Sequence, residues 1–185
     1  STMKSYWAYK AIAAAQARGE TTALIDFEHS WDSDWGKRLG VDTDKLIVGR
    51  PRTAEEGIGI VEGIIQRGID LFVWDSIAAA QPNQYAIVEP GADNAPAALA
   101  RVMSRGLARL NAVNKHTTGI FINQTRDNIG ITFGPKSTTS GGKAMAYYAS
   151  MRMSFTRIGK ITEDMKRWDG EKWTTVKKVV GHKIQ

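Results

Sequence analysis

Short apolar runs alternate with longer stretches of helical spacing along most of the chain. The clearest runs, at residues 22–27, 71–74 and 120–122, have the length and the branched or aromatic content of buried strands. A weaker candidate lies at residues 46–48. Strands that alternate with helices predict an α/β fold, in which a mostly parallel central sheet lies between two helical layers as a three-layer sandwich.

The stretches between these runs predict helices at residues 5–18, 32–39, 53–67 and 97–114, and a short helix at 143–149. Asp32 is a suitable N-cap for the second helix, and Thr53 followed by Glu56 is typical of a capping box at the start of the third.

The C-terminal part of the chain has a different pattern. Residues 150–158 and 173–180 alternate like strands, and Asp169 and Gly170 lie in a turn region between them. This arrangement predicts an antiparallel C-terminal hairpin.

Polar side chains follow the three clearest strands at the point where each ends. They are Glu28, the pair Asp75 and Ser76, and the pair Asn123 and Gln124. Ligands of parallel sheets bind beyond the carboxyl ends of the strands, so these side chains predict a ligand site. Residues 125–142, which follow Gln124, form a long segment rich in Gly, Thr and Ser, and such long loops are usually functional or disordered.

Composition narrows the class of protein. A chain of 185 residues is long enough for one domain with a sizeable core, and it contains no cysteine for a disulfide or a thiolate metal site. It has neither a secretory signal pattern nor an apolar run of the roughly 20 residues that span a bilayer. These features predict a cytoplasmic protein without a membrane partner. The net charge of +6 permits a polyanionic partner such as nucleic acid.

Two segments suggest a nucleotide site. Asp75 after an apolar strand is typical of a Walker B residue that holds Mg²⁺ through water, although an Asp that caps the next turn has the same pattern. Lys4 and Ser5 fit the last two positions of a P-loop, although Met3 stands where a glycine is expected. Taken alone, this pair also fits an ordinary N-terminus.

The other candidates also have a simpler interpretation. Glu28 could activate a hydrolytic water, or it could be an ordinary surface carboxylate. Trp35 could stack on a base, although most tryptophans are simply packed. His29 is expected to be a local hydrogen-bonding group, because no second metal-ligating side chain lies at a suitable spacing.

The order of these elements is more specific than any one of them. Lys-Ser, a strand ending in Glu, a strand ending in Asp and a strand ending in Gln follow one another as in nucleotide hydrolases. The chain resembles the ATPase core of RecA-type recombinases, both bacterial and of the bacteriophage UvsX kind. The segments that carry the resemblance are residues 11–32, 37–46, 73–82 and 120–159.

The resemblance implies ATP and Mg²⁺ as cofactors of a RecA-like P-loop NTPase core. Lys4 and Ser5 would contact the phosphates, and Ser5 would also bind Mg²⁺. Glu28 would be the general base that activates water, and Gln124 would detect the γ-phosphate. Lys183 matches a lysine that reaches the ATP of a neighbouring subunit.

Further nucleotide contacts are implied at four positions. Asp32 and Trp35 would contact adenine, with Trp replacing the tyrosine that is usual in the family. Asp75 would be the Walker B residue that holds Mg²⁺ through water, and Ser76 follows it as the family pattern requires.

The resemblance also implies two DNA-binding loops, at residues 86–96 and 126–142. Arg101 and Arg126 match positions that contact the DNA backbone. So do Gly141 and Gly142. Ile129 matches an apolar residue that wedges between base triplets. Single-stranded and duplex DNA are therefore the expected partners, together with further copies of the protein in a filament.

Some positions depart from the family pattern. Pro96 replaces the wedge residue of the first loop, and Gly181 replaces a second intersubunit lysine. Residues 1–185 are expected to form a single ATPase core that begins within the P-loop and lacks the C-terminal domain. We therefore expect this polypeptide to be inactive and the intact protein to be a DNA-dependent ATPase.

Two other functions remain open at this point. One is a helicase or clock-type ATPase on the same fold, although those proteins rarely carry this loop together with a matched Glu28. The other is a non-enzymatic DNA-binding paralogue with a decayed P-loop. Met3 and Gly181 are compatible with it, because both depart from the pattern of an active ATPase.

Overall fold

The structure is a computed structural model that describes residues 3–83, 95–127, 137–168 and 172–184. It separates into two compact units. The larger unit is Ser5–Ser150, and the smaller unit combines Ser1–Lys4 with Met151–Gln185. The prediction that residues 1–185 form a single core stays a prediction.

Helices and strands alternate through the larger unit. The elements in chain order are α1 (Lys4–Ala17), β1 (Thr22–Asp26), α2 (Ser33–Arg38), β2 (Leu46–Gly49), α3 (Ala54–Gln66), β3 (Leu71–Asp75), one 3₁₀ turn (Ile77–Ala79), α4 (Ala95–Val113), β4 (Thr118–Phe121), β5 (Thr125–Asp127), β6 (Ser137–Thr139) and α5 (Ala144–Tyr148). The smaller unit contains β7 (Arg157–Trp168) and β8 (Trp173–Ile184).

The central sheet has four parallel strands in the order β2-β1-β3-β4. Its register places Asp26, the last residue of β1, directly opposite Asp75, the last residue of β3. Because the strands are parallel, their carboxyl ends meet at one edge of the sheet. The predicted α/β fold and its mostly parallel sheet are confirmed.

Both faces of the sheet are covered by helices. Phe72 and Trp74 of β3 pack into the core formed with α3 and α4, whereas Leu71 and Val73 pack into the core that contains α1. All residues of β1 and β3 are buried, as expected for strands with apolar layers on both sides. The three-layer arrangement is therefore confirmed.

The predicted caps of two helices are present. The Asp32 carboxylate accepts hydrogen bonds from the first turn of α2. Thr53 Oγ1 accepts a hydrogen bond from Glu56 N at 3.2 Å. The Glu56 carboxylate itself accepts from Arg52 N at 2.7 Å, one residue before the Thr53 N–H of a standard capping box.

The C-terminal hairpin is present, but its first strand begins later than the sequence predicted. β7 starts at Arg157, so the strand predicted at residues 150–158 is wrong for residues 150–156. Met151 and Met153 are 77% and 70% exposed, so their apolar alternation does not mark a buried sheet face. The strands β7 and β8 pair antiparallel, with Glu163 opposite Lys178.

The segment after Gln124 also differs from the predicted loop without structure of its own. Its two ends pair as the antiparallel strands β5 and β6, with Thr125 opposite Thr139. Period-2 alternation is too short here to have predicted them, because each strand has only three residues.

Candidate functional site

Two buried carboxylates lie side by side at the carboxyl edge of the sheet. Asp26 and Asp75 end neighbouring strands in register, and they are only 1% and 2% exposed. Their side chains follow the alternation that directs Leu24 and Val73 toward α1. Ser5, in the first turn of α1, donates a hydrogen bond of 2.7 Å from its hydroxyl to Asp75 Oδ2.

Glu28 lies two residues beyond β1 and connects the three strand ends. Its Oε1 accepts a hydrogen bond of 2.6 Å from Ser76 Oγ and one of 3.3 Å from Gln124 Nε2. Ser76 is fully buried, whereas Glu28 and Gln124 are exposed. One polar residue after each of the other two strands, Ser76 and Gln124, therefore contacts the solvent-accessible carboxylate of Glu28.

Hydrogen bonds to Asp26 stabilise the turn that carries Glu28. The Asp26 carboxylate accepts hydrogen bonds of 3.1 Å from the backbone N–H groups of Ser30 and Trp31. Arg50 approaches the same carboxylate, with 3.9 Å between Arg50 Nε and Asp26 Oδ2. Within this turn His29 has a φ of 51°, a left-handed conformation that is uncommon for a residue with a Cβ atom.

Tyr9 lies one helical turn after Ser5 on α1 and is also buried. Its ring packs edge-to-face against Trp31, with 5.0 Å between the ring centroids. Burial, followed by the nearby carboxylates of Asp75 and Asp26, raises the pKa of Tyr9 well above its usual range. The Tyr9 phenol therefore stays neutral next to the buried carboxylates of Asp26 and Asp75.

The two residues implied for adenine lie at the start of α2. The Asp32 carboxylate accepts hydrogen bonds from Asp34 N and Trp35 N at 2.9 and 3.1 Å, which satisfies the first turn of this short helix. The Trp35 side chain is 44% exposed. These contacts give Asp32 a local capping role, and its contact with adenine stays a prediction.

Lys4 is the first residue of α1, and Met3 precedes it with a φ of 60°. This left-handed conformation is the one that glycine adopts most readily. The methionine therefore occupies the glycine position of the P-loop pattern with a backbone conformation of the glycine type.

Ser5 and Asp75 are suited to a magnesium ion. They offer a hydroxyl and a carboxylate oxygen from positions 2.7 Å apart, and Mg²⁺ prefers oxygen ligands. Among the described residues there is no group of three or more His, Cys, Asp and Glu side chains that could hold a metal. Mg²⁺ in nucleotide sites is usually held by one or two protein oxygens, keeps several waters and binds substrate phosphates.

Gly141 and Gly142, which follow β6, pack closely against the 3₁₀ turn and α4 within the larger unit. Their φ angles are 82° and 73°, and a Cβ atom at these positions would lie 2.9 Å from Ile77 Cγ2 and 2.8 Å from Ala100 Cβ respectively. Asn123 Nδ2 also donates a hydrogen bond of 2.7 Å to Ser140 O. The far end of the predicted DNA-binding segment is thus fixed beside the end of β4.

Arg101 projects from α4 next to this region. It lines a surface groove of about 550 Å³ together with Ser104 and Lys143. Arg101 is exposed, and no carboxylate among the described side chains lies within salt-bridge distance of it. Such an arginine is available to a phosphate group.

The remaining predicted positions lie apart or outside the described residues. Arg126 belongs to β5, whereas Ile129 lies outside the described residues. Most of the predicted first loop, 86–96, also lies outside them, and Pro96 falls in the first turn of α4. Lys183 belongs to β8 of the smaller unit, where it pairs with Gly159.

Three residues of the site were missed by the sequence analysis. Asp26 and Tyr9 lie in runs that were taken only as a strand and a helix, and Arg50 lies in a loop. The sequence feature that could have indicated Asp26 is a charged residue inside an otherwise apolar strand. A carboxylate buried in this way requires hydrogen-bond partners.

Comparisons with known proteins show the family to which the chain is similar. The family model of the RecA N-terminal domain matches residues 1–185. No helix among the described residues combines the length and the apolar character required to cross a membrane.

Several curated relatives are similar to the chain at 45% identity over 166 residues, which is 88% of the chain. They include the proteins named "Protein RecA" from Mycobacterium ulcerans (strain Agy99), Mycobacterium marinum and Mycobacterium tuberculosis (strain H37Rv). The matched region is 48% of the first two relatives and 21% of the third, so the chain spans at most about half of their length. Together with the full-length match of the family model, these similarities show that the chain belongs to the RecA family.

Proposed function

We propose that the protein is a DNA-dependent ATPase that acts in homologous recombination and DNA repair. In this proposal it binds single-stranded DNA as a filament, pairs that strand with homologous duplex DNA and hydrolyses ATP to release the filament. A cytoplasmic location belongs to the same proposal, because DNA and ATP are available together there. Membership of the RecA family supports it.

The observation that carries the proposal is the hydrogen bonding of Glu28. Its Oε1 accepts from Ser76 Oγ and from Gln124 Nε2, so one exposed carboxylate connects β1, β3 and β4. The Ser5–Asp75 pair lies at the same edge of the sheet, because Asp75 directly precedes Ser76. This arrangement supports the proposal that a base and a magnesium-binding pair lie at adjacent strand ends.

ATP supplies the γ-phosphoryl group that is transferred to water, and Mg²⁺ neutralises charge on the phosphates. Ser5 would bind the ion directly and Asp75 would hold it through water. Lys4, at the start of α1, contributes a positive charge near the helix N-terminus, where anions are favoured.

Glu28 acts as the general base in this proposal. Being exposed, its carboxylate is accessible to a water molecule, and Ser76 fixes one of its oxygens. The carboxylate takes a proton from that water as the water attacks the γ-phosphorus and ADP leaves with the bridging oxygen, which is the usual contribution of a positioned base. Asp32 and Trp35 orient adenine at the start of α2, and Lys183 acts on the ATP of a neighbouring subunit.

Gln124 couples the nucleotide to DNA. It contacts Glu28 on one side and is followed directly by β5 on the other. Arg101, Arg126, Gly141 and Gly142 contact phosphates of the DNA backbone, and Ile129 separates bases. Binding through phosphates is largely independent of sequence and decreases with salt.

The test is ATP hydrolysis by the full-length protein with and without single-stranded DNA. We expect stimulation by DNA in the unmodified protein and a loss of at least 100-fold in kcat for Glu28→Gln, with nucleotide binding retained. The variant Glu20→Gln is the matched control, because Glu20 lies before β1 and pairs with Arg18 away from the site. DNA binding without any hydrolysis would instead support the non-enzymatic paralogue, and duplex unwinding without strand exchange would support a helicase.

A further inference from the structure

Among the residues that the structure describes, Asp26 is the one buried carboxylate at the strand ends to which the proposed function gives no role. It is 1% exposed, and burying a carboxylate is unfavourable unless hydrogen bonds or an ion pair satisfy it. Both of its oxygens have backbone partners, since Ser30 N donates to Oδ1 and Trp31 N donates to Oδ2. All of these partners belong to the turn that begins at Glu28.

This turn needs such support because of its backbone conformation. His29, which directly follows Glu28, has a φ of 51°. Residues with a side chain persist in the left-handed region only where the surrounding structure enforces it. The two N–H groups that Asp26 binds belong to Ser30 and Trp31, which directly follow His29. The Asp26 carboxylate therefore stabilises the turn immediately after its strained residue.

A second group acts on Asp26 itself. Arg50, just after β2, approaches Asp26 Oδ2 with its Nε at 3.9 Å and is 54% exposed. Arg50 and Asp26 therefore connect β2, which is an edge strand of the sheet, to the turn that carries Glu28.

We infer that Asp26, assisted by Arg50, is a positioning residue for Glu28. It fixes the turn of residues 28–31 so that the Glu28 carboxylate remains within reach of Ser76 and Gln124. This inference rests on the proposed function, since it assigns a role within ATP hydrolysis. A displacement of a reacting group by about 1 Å is enough to lower a rate about 100-fold.

The test compares Asp26→Asn with Asp70→Asn in the full-length protein, using DNA-stimulated ATP hydrolysis and thermal unfolding. An asparagine has one acceptor oxygen and directs its amide N–H groups toward a backbone donor, so the turn loses one of its two anchors. We expect kcat to decrease about 10- to 100-fold while KM for ATP changes less than about threefold.

Asp70 is the matched control because it has the same type of contact at the opposite end of the sheet. Its carboxylate accepts from Thr21 N at 2.7 Å and from Thr21 Oγ1 at 2.8 Å. Both variants are expected to lower Tm, whereas only Asp26→Asn is expected to lower kcat. A general loss of stability would affect the rate of both variants alike.

Arg50→Gln provides a second measurement on an exposed residue, and it decides the matter if Asp26→Asn does not fold. We expect a decrease of about three- to tenfold in kcat at an unchanged KM, because the carboxylate loses its charged partner. A kcat within twofold of the unmodified protein in every folded variant at these two positions overturns the inference. If the unmodified protein itself does not hydrolyse ATP, it is the proposed function that fails.

Discussion

The Gln124 side-chain amide donates a hydrogen bond of 3.3 Å to Glu28 Oε1, although 96 residues separate the two in the sequence. The contact joins the end of β4 to the end of β1, across the intervening strand β3. It places the residue that precedes the proposed DNA-binding segment directly against the proposed base. We therefore expect a substitution at either residue to alter the hydrogen bonding of the other.

The variant Gln124→Ala tests this connection. We expect it to bind ATP as tightly as the unmodified protein but to lose DNA-stimulated hydrolysis, because alanine cannot contact Glu28. ATP binding is measured by fluorescence titration, and hydrolysis is measured with and without single-stranded DNA. Gln66→Ala, on the exposed end of α3, is the control. Normal stimulation in Gln124→Ala would rule out the coupling.

Ser76→Ala tests how Glu28 is oriented. The lost hydrogen bond to a charged group corresponds to about 1.5–3 kcal/mol, so we expect kcat to decrease at least about tenfold. Because Glu28 is exposed, water can solvate its carboxylate when this bond is lost, so we expect a smaller change in the free energy of unfolding than for a fully buried pair. Single-turnover hydrolysis and thermal unfolding measure the two effects.

The control for Ser76→Ala is Thr53→Ala, which removes the N-cap of α3 and is expected to cost about 1 kcal/mol of stability. It should leave the rate unchanged. The proposed orientation of Glu28 fails if Ser76→Ala hydrolyses ATP as fast as Thr53→Ala.

Arg101→Gln tests the contact with the DNA backbone. Losing one phosphate contact should reduce the slope of log K against log salt concentration by about 0.7 for single-stranded DNA. Arg109→Gln removes the same charge from the same helix, but Arg109 already pairs with Glu62 of α3. Fluorescence anisotropy over a series of salt concentrations measures both variants. Equal slopes for Arg101→Gln and the unmodified protein would contradict a phosphate contact at Arg101.

Gly142→Ala tests the packing at the end of the same segment. The added Cβ would lie 2.8 Å from Ala100 Cβ on a residue with a φ of 73°. The left-handed conformation alone costs about 1–2 kcal/mol, so we expect lower stability and at least about tenfold weaker DNA binding. These are measured by thermal unfolding and by anisotropy at fixed salt.

The matched substitution is Gly59→Ala in the middle of α3, where a Cβ meets no atom within 4 Å. It is expected to stabilise the protein by about 0.5–1 kcal/mol, because glycine weakens a helix interior. If Gly142→Ala binds DNA as well as Gly59→Ala does, close packing at Gly142 is not required for binding.

The sheet and the residues at its edge were accessible from the sequence because they depend on local patterns. The run of residues 71–74 is apolar throughout, as expected for a strand buried on both faces, and polar residues follow it immediately. Because paired parallel strands end at the same edge of the sheet, the polar residues that follow them lie close together. Glu28, Ser76 and Gln124 are in contact for this reason.

Other features depend on tertiary contacts that no local pattern specifies. The alternation of Met151 and Met153 resembles a strand, but both side chains are exposed and β7 begins only at Arg157. Asp26 lies within an apolar run, and its partners Ser30 and Trp31 are identified only by the path of the turn. The contact of Arg50 likewise requires β2 to lie beside β1.

The pairing of β5 with β6 has a consequence for sequence variation. Thr125 lies opposite Thr139, so both ends of the segment between Gln124 and Ser140 are held together by backbone hydrogen bonds. Backbone pairing depends little on which side chains are present. Residues along these two strands can therefore be exchanged while the geometric connection from Gln124 to Gly141 is preserved. If the proposed function is correct, we expect variation in this segment to change the affinity for DNA without removing the response to the nucleotide.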